Sequence, residues 1–164
     1  MSTRTFALLA WVAFVGLSSR ASLCAEARDD GWFPLLNDED FQGWYTFLNE
    51  HGKNNDPGEV FTIDNGVIHV YKHAENGTSV PIGFFATETE YSHCHLRFQY
   101  KWGSKRFGIR PNQKRDAGVM YHCVEPDGLL QGTWPRCIEC QVQEEDTGDA
   151  LCLFGTRFST WVDP

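Results

Sequence analysis

The segment FTIDNGVIHV (Phe61–Val70) decides the fold class of this chain. Two short apolar runs, Val60–Ile63 and Gly66–Tyr71, flank the tripeptide Asp64-Asn65-Gly66. Asn-Gly between β-branched and aromatic residues is a strong short-range signal for a hairpin, because both turn residues must adopt positive φ. The segment therefore predicts two antiparallel strands joined by a tight turn.

Further strands are predicted on both sides of this hairpin. His95–Trp102 alternates apolar and polar residues, which is typical of a half-buried strand. The other predicted strands are Tyr45–Leu48, Phe84–Thr89, Gly118–Val124, Cys137–Gln143 and Leu151–Phe158. Turns rich in Gly, Pro and Asn separate them, and no helix is predicted. This spacing indicates an all-β, antiparallel sandwich.

The length and charge of the chain exclude several classes of protein. A chain of 164 residues corresponds to one domain. Its formal net charge of -8 makes it a poor nucleic-acid binder, because such binding depends on neutralising phosphates. With 41% hydrophobic residues, the chain can build a core.

Residues 1–27 have the pattern of a secretory signal peptide. Arg4 precedes an apolar run, Phe6–Leu17, and Ala25-Glu26-Ala27 is a suitable cleavage site. An uncleaved anchor and a lipoprotein modified at Cys24 are the alternatives. We expect a secreted or periplasmic protein whose mature domain is residues 28–164, without stable membrane insertion after cleavage.

Five cysteines follow the signal peptide: Cys94, Cys123, Cys137, Cys140 and Cys152. Export permits disulfides, and an odd number leaves at least one thiol unpaired. Cys137-x-x-Cys140 resembles half of a zinc or redox site, but no second half follows it. We interpret this pair as small buried side chains and predict neither a metal nor another cofactor.

The segment Cys137–Asp149 has the most distinctive polar pattern. Alternation predicts a core-facing set formed by Ile138, Cys140 and Val142. The opposite set is polar, with Glu139, Gln141 and Gln143, and the acidic residues Glu144, Glu145 and Asp146 follow it. This polar set is either a solvated surface or a face that binds sugar hydroxyls. Trp102, Tyr121, Trp134 and Trp161 are candidate aromatic walls for a sugar, or core residues.

An ordinary retaining glycosidase is a weaker interpretation of this segment. Such sandwiches use two glutamates four residues apart on one strand, but position 143 is Gln. Glu144 would serve with Glu139 only if a bulge re-aimed it.

Five stretches together resemble the 3-keto-disaccharide hydrolase family, also described as a 3-keto-glucoside 1,2-lyase and 3-keto-2-hydroxy-glucal hydratase domain. They are GWFPLLNDEDFQGWY (31–45), FTIDNGVIHV (61–70), HLRFQYKWG (95–103), KRDAGVMYHCV (114–124) and WPRCIECQVQEEDTGD (134–149). The resemblance implies a concanavalin-like jelly roll and export. Family members continue for several more strands, so we expect this chain to correspond to the N-terminal portion of such a domain.

The resemblance also implies a reaction on 3-keto-glucosides. The C3 ketone acidifies the C2 hydrogen, a base removes that proton, and the enolate expels the C1 substituent. Water can then add across the resulting glucal. We hypothesise that Glu139 is the base or acid and that His122 is a second acid/base residue. The predicted substrate-binding residues are Gln141, Gln143, Glu144, Asp116, Tyr121, Trp134 and Asp146.

Other interpretations of these residues remain open. His122 is otherwise a packed or exposed strand residue, and Asp116 and Asp146 are otherwise turn residues. The basic loop, residues 103–116, contacts an acidic sugar or a protein, or is simply solvated. The expected partner is a 3-keto sugar or another carbohydrate, and the oligomeric state is open. A non-catalytic carbohydrate-binding module is the alternative to an enzyme.

Overall fold

The computed structural model describes residues 31–108, 112–124 and 126–159. The predicted signal peptide and Trp161 lie outside these residues. The chain divides after Pro34, and the described residues before that point, Gly31–Pro34, contain no strand. In the described part of the chain, all regular secondary structure consists of β-strands, and all paired strands are antiparallel. The prediction of an all-β, antiparallel fold is confirmed.

Eight strands form three small sheets. The strands are β1 (Trp44–Leu48), β2 (Gly52–Lys53), β3 (Phe61–Asp64), β4 (Val67–Val70), β5 (Gly83–Thr87), β6 (Gly118–Val124), β7 (Arg136–Gln141) and β8 (Ala150–Cys152). The sheet orders are β2-β1-β5, β3-β4 and β6-β7-β8. Both three-stranded sheets therefore have a central strand, β1 in one and β7 in the other.

The predicted hairpin forms as the sequence indicates. Asp64 pairs with Val67 across the turn, and Asn65 and Gly66 have φ values of 51° and 73°. Positive φ at both central residues is the geometry that favours Asn-Gly in a two-residue hairpin loop. The hairpin prediction is confirmed.

The core lies between β1, β3 and β5. Leu48, Val60 and Phe61 are buried, and partly buried aromatic side chains pack against them. Phe85 is 5.5 Å from Phe61 between ring centroids, in an edge-on arrangement. Asp56 fixes the start of β3, because its carboxylate accepts hydrogen bonds from the backbone N–H groups of Val60 and Phe61, both at 2.9 Å.

Aromatic contacts connect the first sheet with the segment that leads into β7. Phe84 stacks on Phe47 at 5.5 Å, and it lies 6.2 Å from Trp134. Trp134 stands two residues before β7 begins at Arg136. The core therefore positions the start of the strand that holds the polar face.

The prediction of a strand at His95–Trp102 is wrong. The structure assigns no strand there, and Leu96, Phe98 and Tyr100 are 52%, 49% and 47% exposed. Alternation specifies two faces, but a strand also needs a hydrogen-bonded neighbour, and no described strand pairs with this segment. The predicted last strand is also shorter than expected, because only Ala150–Cys152 pairs with β7. Among the described residues, no helix is long and apolar enough to cross a membrane.

Candidate functional site

The candidate site lies on the sheet formed by β6, β7 and β8. Glu139 is on the central strand, between Met120 on β6 and Leu151 on β8. Gln141 is two residues further along β7, opposite Gly118. Because side chains alternate along a strand, Glu139 and Gln141 share one face, as the sequence predicted.

Glu139 is half-buried and lies across Gly118. A Cβ atom added at Gly118 would overlap with Cγ, Cδ and Oε1 of Glu139. Only glycine therefore leaves this side chain its space. Burial raises the pKa of the Glu139 carboxyl, and the negative charge of Asp116 raises it further. A carboxyl of this kind binds a proton more readily than an exposed glutamate, which suits a general base.

Gln141 holds Asp116 beside this carboxyl. The Gln141 side chain is 7% exposed, and its Nε2 donates a hydrogen bond to Oδ1 of Asp116 at 3.1 Å. The Gln141 Oε1 atom accepts a hydrogen bond from the Val142 backbone N–H at 3.2 Å. The amide orientation is therefore fixed at both ends. Glu139, Asp116 and Gln141 form one cluster, which we call the carboxylate cluster.

Arg115 and Glu144 form an ion pair next to the carboxylate cluster. Arg115 donates from Nε to Oε2 of Glu144 at 3.2 Å and from Nη2 to Oε1 at 2.5 Å. The Arg115 backbone N–H also binds Oε2, at 3.1 Å. These hydrogen bonds lower the pKa of Glu144 to about 2. Glu144 therefore stays ionised and anchors the residue that precedes Asp116.

The basic loop is bound to the rest of the domain through several side chains. Lys105 donates to the backbone carbonyls of Lys72 and Ala74, at 3.0 and 2.8 Å. Lys114 contacts Asp146 at 2.8 Å. The Lys114 hydrogen bond accounts for the position of Asp146 without a sugar or a cation.

The family match extends over most of the chain, including this site. A profile of the 3-keto-alpha-glucoside-1,2-lyase-like domain matches residues 31–160. The chain belongs to this family. No curated protein and no solved structure matches it significantly. The resemblance inferred from the sequence is confirmed, and the matched range of this family includes the whole carboxylate cluster.

His122 lies on β6 at an irregularity in the pairing. Tyr121 pairs with Ile138 and Val124 pairs with Arg136, so two residues of β6 face one residue of β7. This is the residue count of a β-bulge, which re-aims side chains. His122 is exposed, has a φ of 52°, and lies 5.5 Å from the Tyr121 ring between centroids. The role of His122 in this family member stays a prediction.

The structure does not bring all the predicted binding residues together. Tyr121 pairs with Ile138, which is on the opposite face of β7 from Glu139. Trp134 packs against Phe84 in the core contact described above. Gln143 lies beyond the end of β7, where its backbone carbonyl accepts a hydrogen bond from Asp146. The compact part of the predicted site is therefore Glu139, Gln141 and Asp116.

The prediction that Cys140 faces the core is wrong. Cys140 is exposed, whereas Cys137 is completely buried on the face that includes Glu139. The alternation itself is retained, and the exposed Cys140 lies between two buried residues of the same face. Ile138 and Val142 are buried as predicted.

Sequence reasoning missed Gly118 and Arg115 as site residues. The signal for Gly118 was a glycine that begins a strand, which often marks close approach of another group. The signal for Arg115 was its position directly before Asp116. No group of three or more His, Cys, Asp or Glu residues is placed to hold a metal ion in the part of the chain that the structure describes.

Proposed function

We propose that this chain is an exported carbohydrate-active enzyme domain that cleaves 3-keto-glucosides by removing the C2 proton and eliminating the C1 substituent. The observation that carries the proposal is the half-buried Glu139 carboxyl, whose pKa is raised beside Asp116 and which requires Gly118 for its space. Membership of the 3-keto-alpha-glucoside-1,2-lyase-like family supports the choice of substrate. The signal-like segment 1–27 supports export.

Glu139 is the base in this mechanism. A ketone at C3 acidifies the hydrogen at C2, and the Glu139 carboxylate accepts that proton. The electron pair enters the enolate, the C1–O bond breaks, and the leaving oxygen takes a proton. No covalent bond between enzyme and sugar is required, so one carboxylate with a raised pKa is sufficient. Addition of water across the glucal would complete a hydrolysis.

Gln141 and His122 take the supporting roles. Gln141 has a second N–H beyond the one that it gives to Asp116, and this N–H can stabilise the enolate oxygen. His122 is exposed on the neighbouring strand, and its imidazole N–H can donate a proton to the leaving oxygen.

The decisive experiment compares two substrates that differ only in the C3 ketone. The chain is incubated with 4-nitrophenyl 3-keto-α-glucoside and with 4-nitrophenyl α-glucoside, and nitrophenol release is followed by absorbance. We expect release from the keto sugar only, and a slower rate when C2 carries deuterium. Glu139→Gln should reduce the rate about 10²–10⁴-fold, whereas Glu145→Gln, an exposed matched control, should not. Equal release from both substrates would contradict the proposed elimination.

A non-catalytic binding module is the second candidate function. The polar residues on one face of β7 fit a binding module as well as they fit an enzyme, because amides and carboxylates also bind sugar hydroxyls. The same samples separate the two functions. A rise in melting temperature with the keto sugar, without any nitrophenol release, would favour the binding module and overturn the enzyme.

A further inference from the structure

The bulge in β6 places two cysteines opposite each other. Tyr121 pairs with Ile138, and Val124 pairs with Arg136. The two β6 residues between these pairs, His122 and Cys123, both stand opposite Cys137, and Cys123 is the one next to the Val124–Arg136 pair. Directly opposed residues on antiparallel strands have Cα atoms about 4.5 or 5.5 Å apart. Both distances fall within the roughly 4.4–6.8 Å that a disulfide spans.

The side chains of these two cysteines meet. The Cys123 and Cys137 thiols lie close enough to interact with each other. Cys137 is completely buried, whereas Cys123 is exposed. A reagent from solvent therefore reaches the pair through Cys123.

Cys140 and Cys152 lack this geometry. On β7 and β8, Ile138 pairs with Cys152 and Cys140 pairs with Ala150. Cys140 and Cys152 are thus diagonal neighbours, at about 7–8 Å, which is beyond the range of an unstrained disulfide. The pairing within this sheet therefore favours a disulfide between Cys123 and Cys137 over one between Cys140 and Cys152.

We propose that Cys123 and Cys137 are a disulfide-forming site that fastens β6 to β7 beside the carboxylate cluster. Glu139 is two residues from Cys137 on the same face of β7, and His122 is the neighbour of Cys123. The bond would close a loop of about 15 residues and remove conformational freedom from the unfolded chain. It would also hold the strand pair on which both predicted acid/base residues lie.

The oxidant is a low-molecular-weight disulfide such as glutathione disulfide. The Cys123 thiolate attacks one glutathione sulfur, which forms a mixed disulfide and releases one glutathione thiolate. The Cys137 thiolate then attacks the Cys123 sulfur and releases the second. Two cysteine thiols are oxidised, one glutathione disulfide is reduced to two thiols, and the two cysteine protons end on glutathione. Burial raises the pKa of the Cys137 thiol to about 12, so the reaction should accelerate with pH.

Peptide mapping tests the pairing directly. The purified full chain is equilibrated in a glutathione redox buffer, remaining thiols are alkylated, and trypsin and Glu-C are applied. Cleavage after Arg115, Arg136 and Glu139 puts Cys123 on peptide 116–136 and Cys137 on peptide 137–139, apart from Cys140. We expect these two peptides to be linked until reductant is added. Absence of the link, or a link from Cys123 to another cysteine, would overturn the proposal.

Thermal unfolding tests whether the bond fastens the strands. Oxidation should raise the melting temperature by about 10 °C for the natural chain. Cys140→Ser is the matched control, because it removes an exposed cysteine of the same strand and should leave the rise intact. Cys123→Ser should abolish it. A rise that persists in Cys123→Ser would contradict the assignment. This test is independent of the enzymatic activity, because neither readout uses a substrate.

Discussion

The carboxyl group of Glu139 occupies the space that a side chain at Gly118 would need. The two residues are on adjacent strands, and Gly118 stands opposite Gln141, two positions from the partner of Glu139. Glu139 therefore leans across the sheet toward Gly118 rather than pointing straight out from it. Because Gly118 has no Cβ atom, the proposed base Glu139 has room to point in this direction.

Gly118→Ala should misdirect Glu139 while the sheet stays intact. The added Cβ overlaps with the outer part of a glutamate side chain, which can rotate away. A misplaced catalytic group commonly costs about 10² in rate, and we expect that loss in kcat with little change in KM. Gly58→Ala is the control, because a Cβ there meets nothing within 4 Å. Full activity of Gly118→Ala would show that the position of Glu139 does not matter.

Glu139→Gln should stabilise the domain at neutral pH. The folded-state pKa of Glu139 is raised, so its contribution to stability is complete below the unfolded value of about 4.5 and is lost as pH rises through the folded value. The variant should therefore match the natural chain near pH 4 and melt a few degrees higher at pH 7. Differential scanning calorimetry across this range measures the difference. Glu90→Gln controls for the loss of a negative charge, and a variant less stable at pH 7 would contradict the argument.

Glu144→Gln should have the opposite pH dependence. The Arg115 hydrogen bonds hold the folded pKa of Glu144 at about 2, so its stabilisation is present above about 4.5 and disappears as pH falls toward 2. The variant should melt below the natural chain at pH 7, and the two should converge in acid. Glu145→Gln is the matched control, since that side chain is 76% exposed and contacts Lys114 at 3.5 Å. Parallel melting curves at all pH values would refute the role of the ion pair.

Asp56→Ala should destabilise the first sheet without affecting the candidate site. The change leaves the backbone N–H groups of Val60 and Phe61 without their carboxylate acceptor, and both residues are buried. Leaving two buried donors unpaired should cost about 2–4 kcal/mol of unfolding free energy. Urea denaturation measures this loss, with Asn55→Ala, an exposed neighbour, as the control. A loss no larger than that of Asn55→Ala would mean that water replaces the carboxylate.

The strands could be predicted from the sequence wherever local signals coincide. Asn65-Gly66 specifies its hairpin because few residue pairs accept two successive positive φ values. Gly118–Val124 is a strand over the whole predicted range. His95–Trp102 has clearer alternation than either, yet it forms no strand, because pairing depends on residues distant in sequence.

The candidate site was predictable in part for a similar reason. Glu139 and Gln141 follow from alternation, which is local. The ion pair between Arg115 and Glu144 joins residues 29 positions apart, and a periodic sequence pattern does not predict such a contact. The same limit applies to Tyr121, whose face depends on the pairing register with β7 rather than on its own strand.

The central position of β7 has a consequence for how the site moves. Its backbone is hydrogen-bonded on both sides, to β6 and to β8, whereas β8 has a neighbour on one side only in the described sheet. The amide protons of β7 should therefore exchange with deuterated solvent more slowly than the outward-facing amides of β8. Glu139 and Gln141 belong to the slowest-opening part of this sheet, while Gln143 and Glu144 follow the end of its ladder. The proposed base is thus held on the most completely bonded strand of this sheet, and Glu144, just beyond that strand, is held by the backbone and side chain of Arg115.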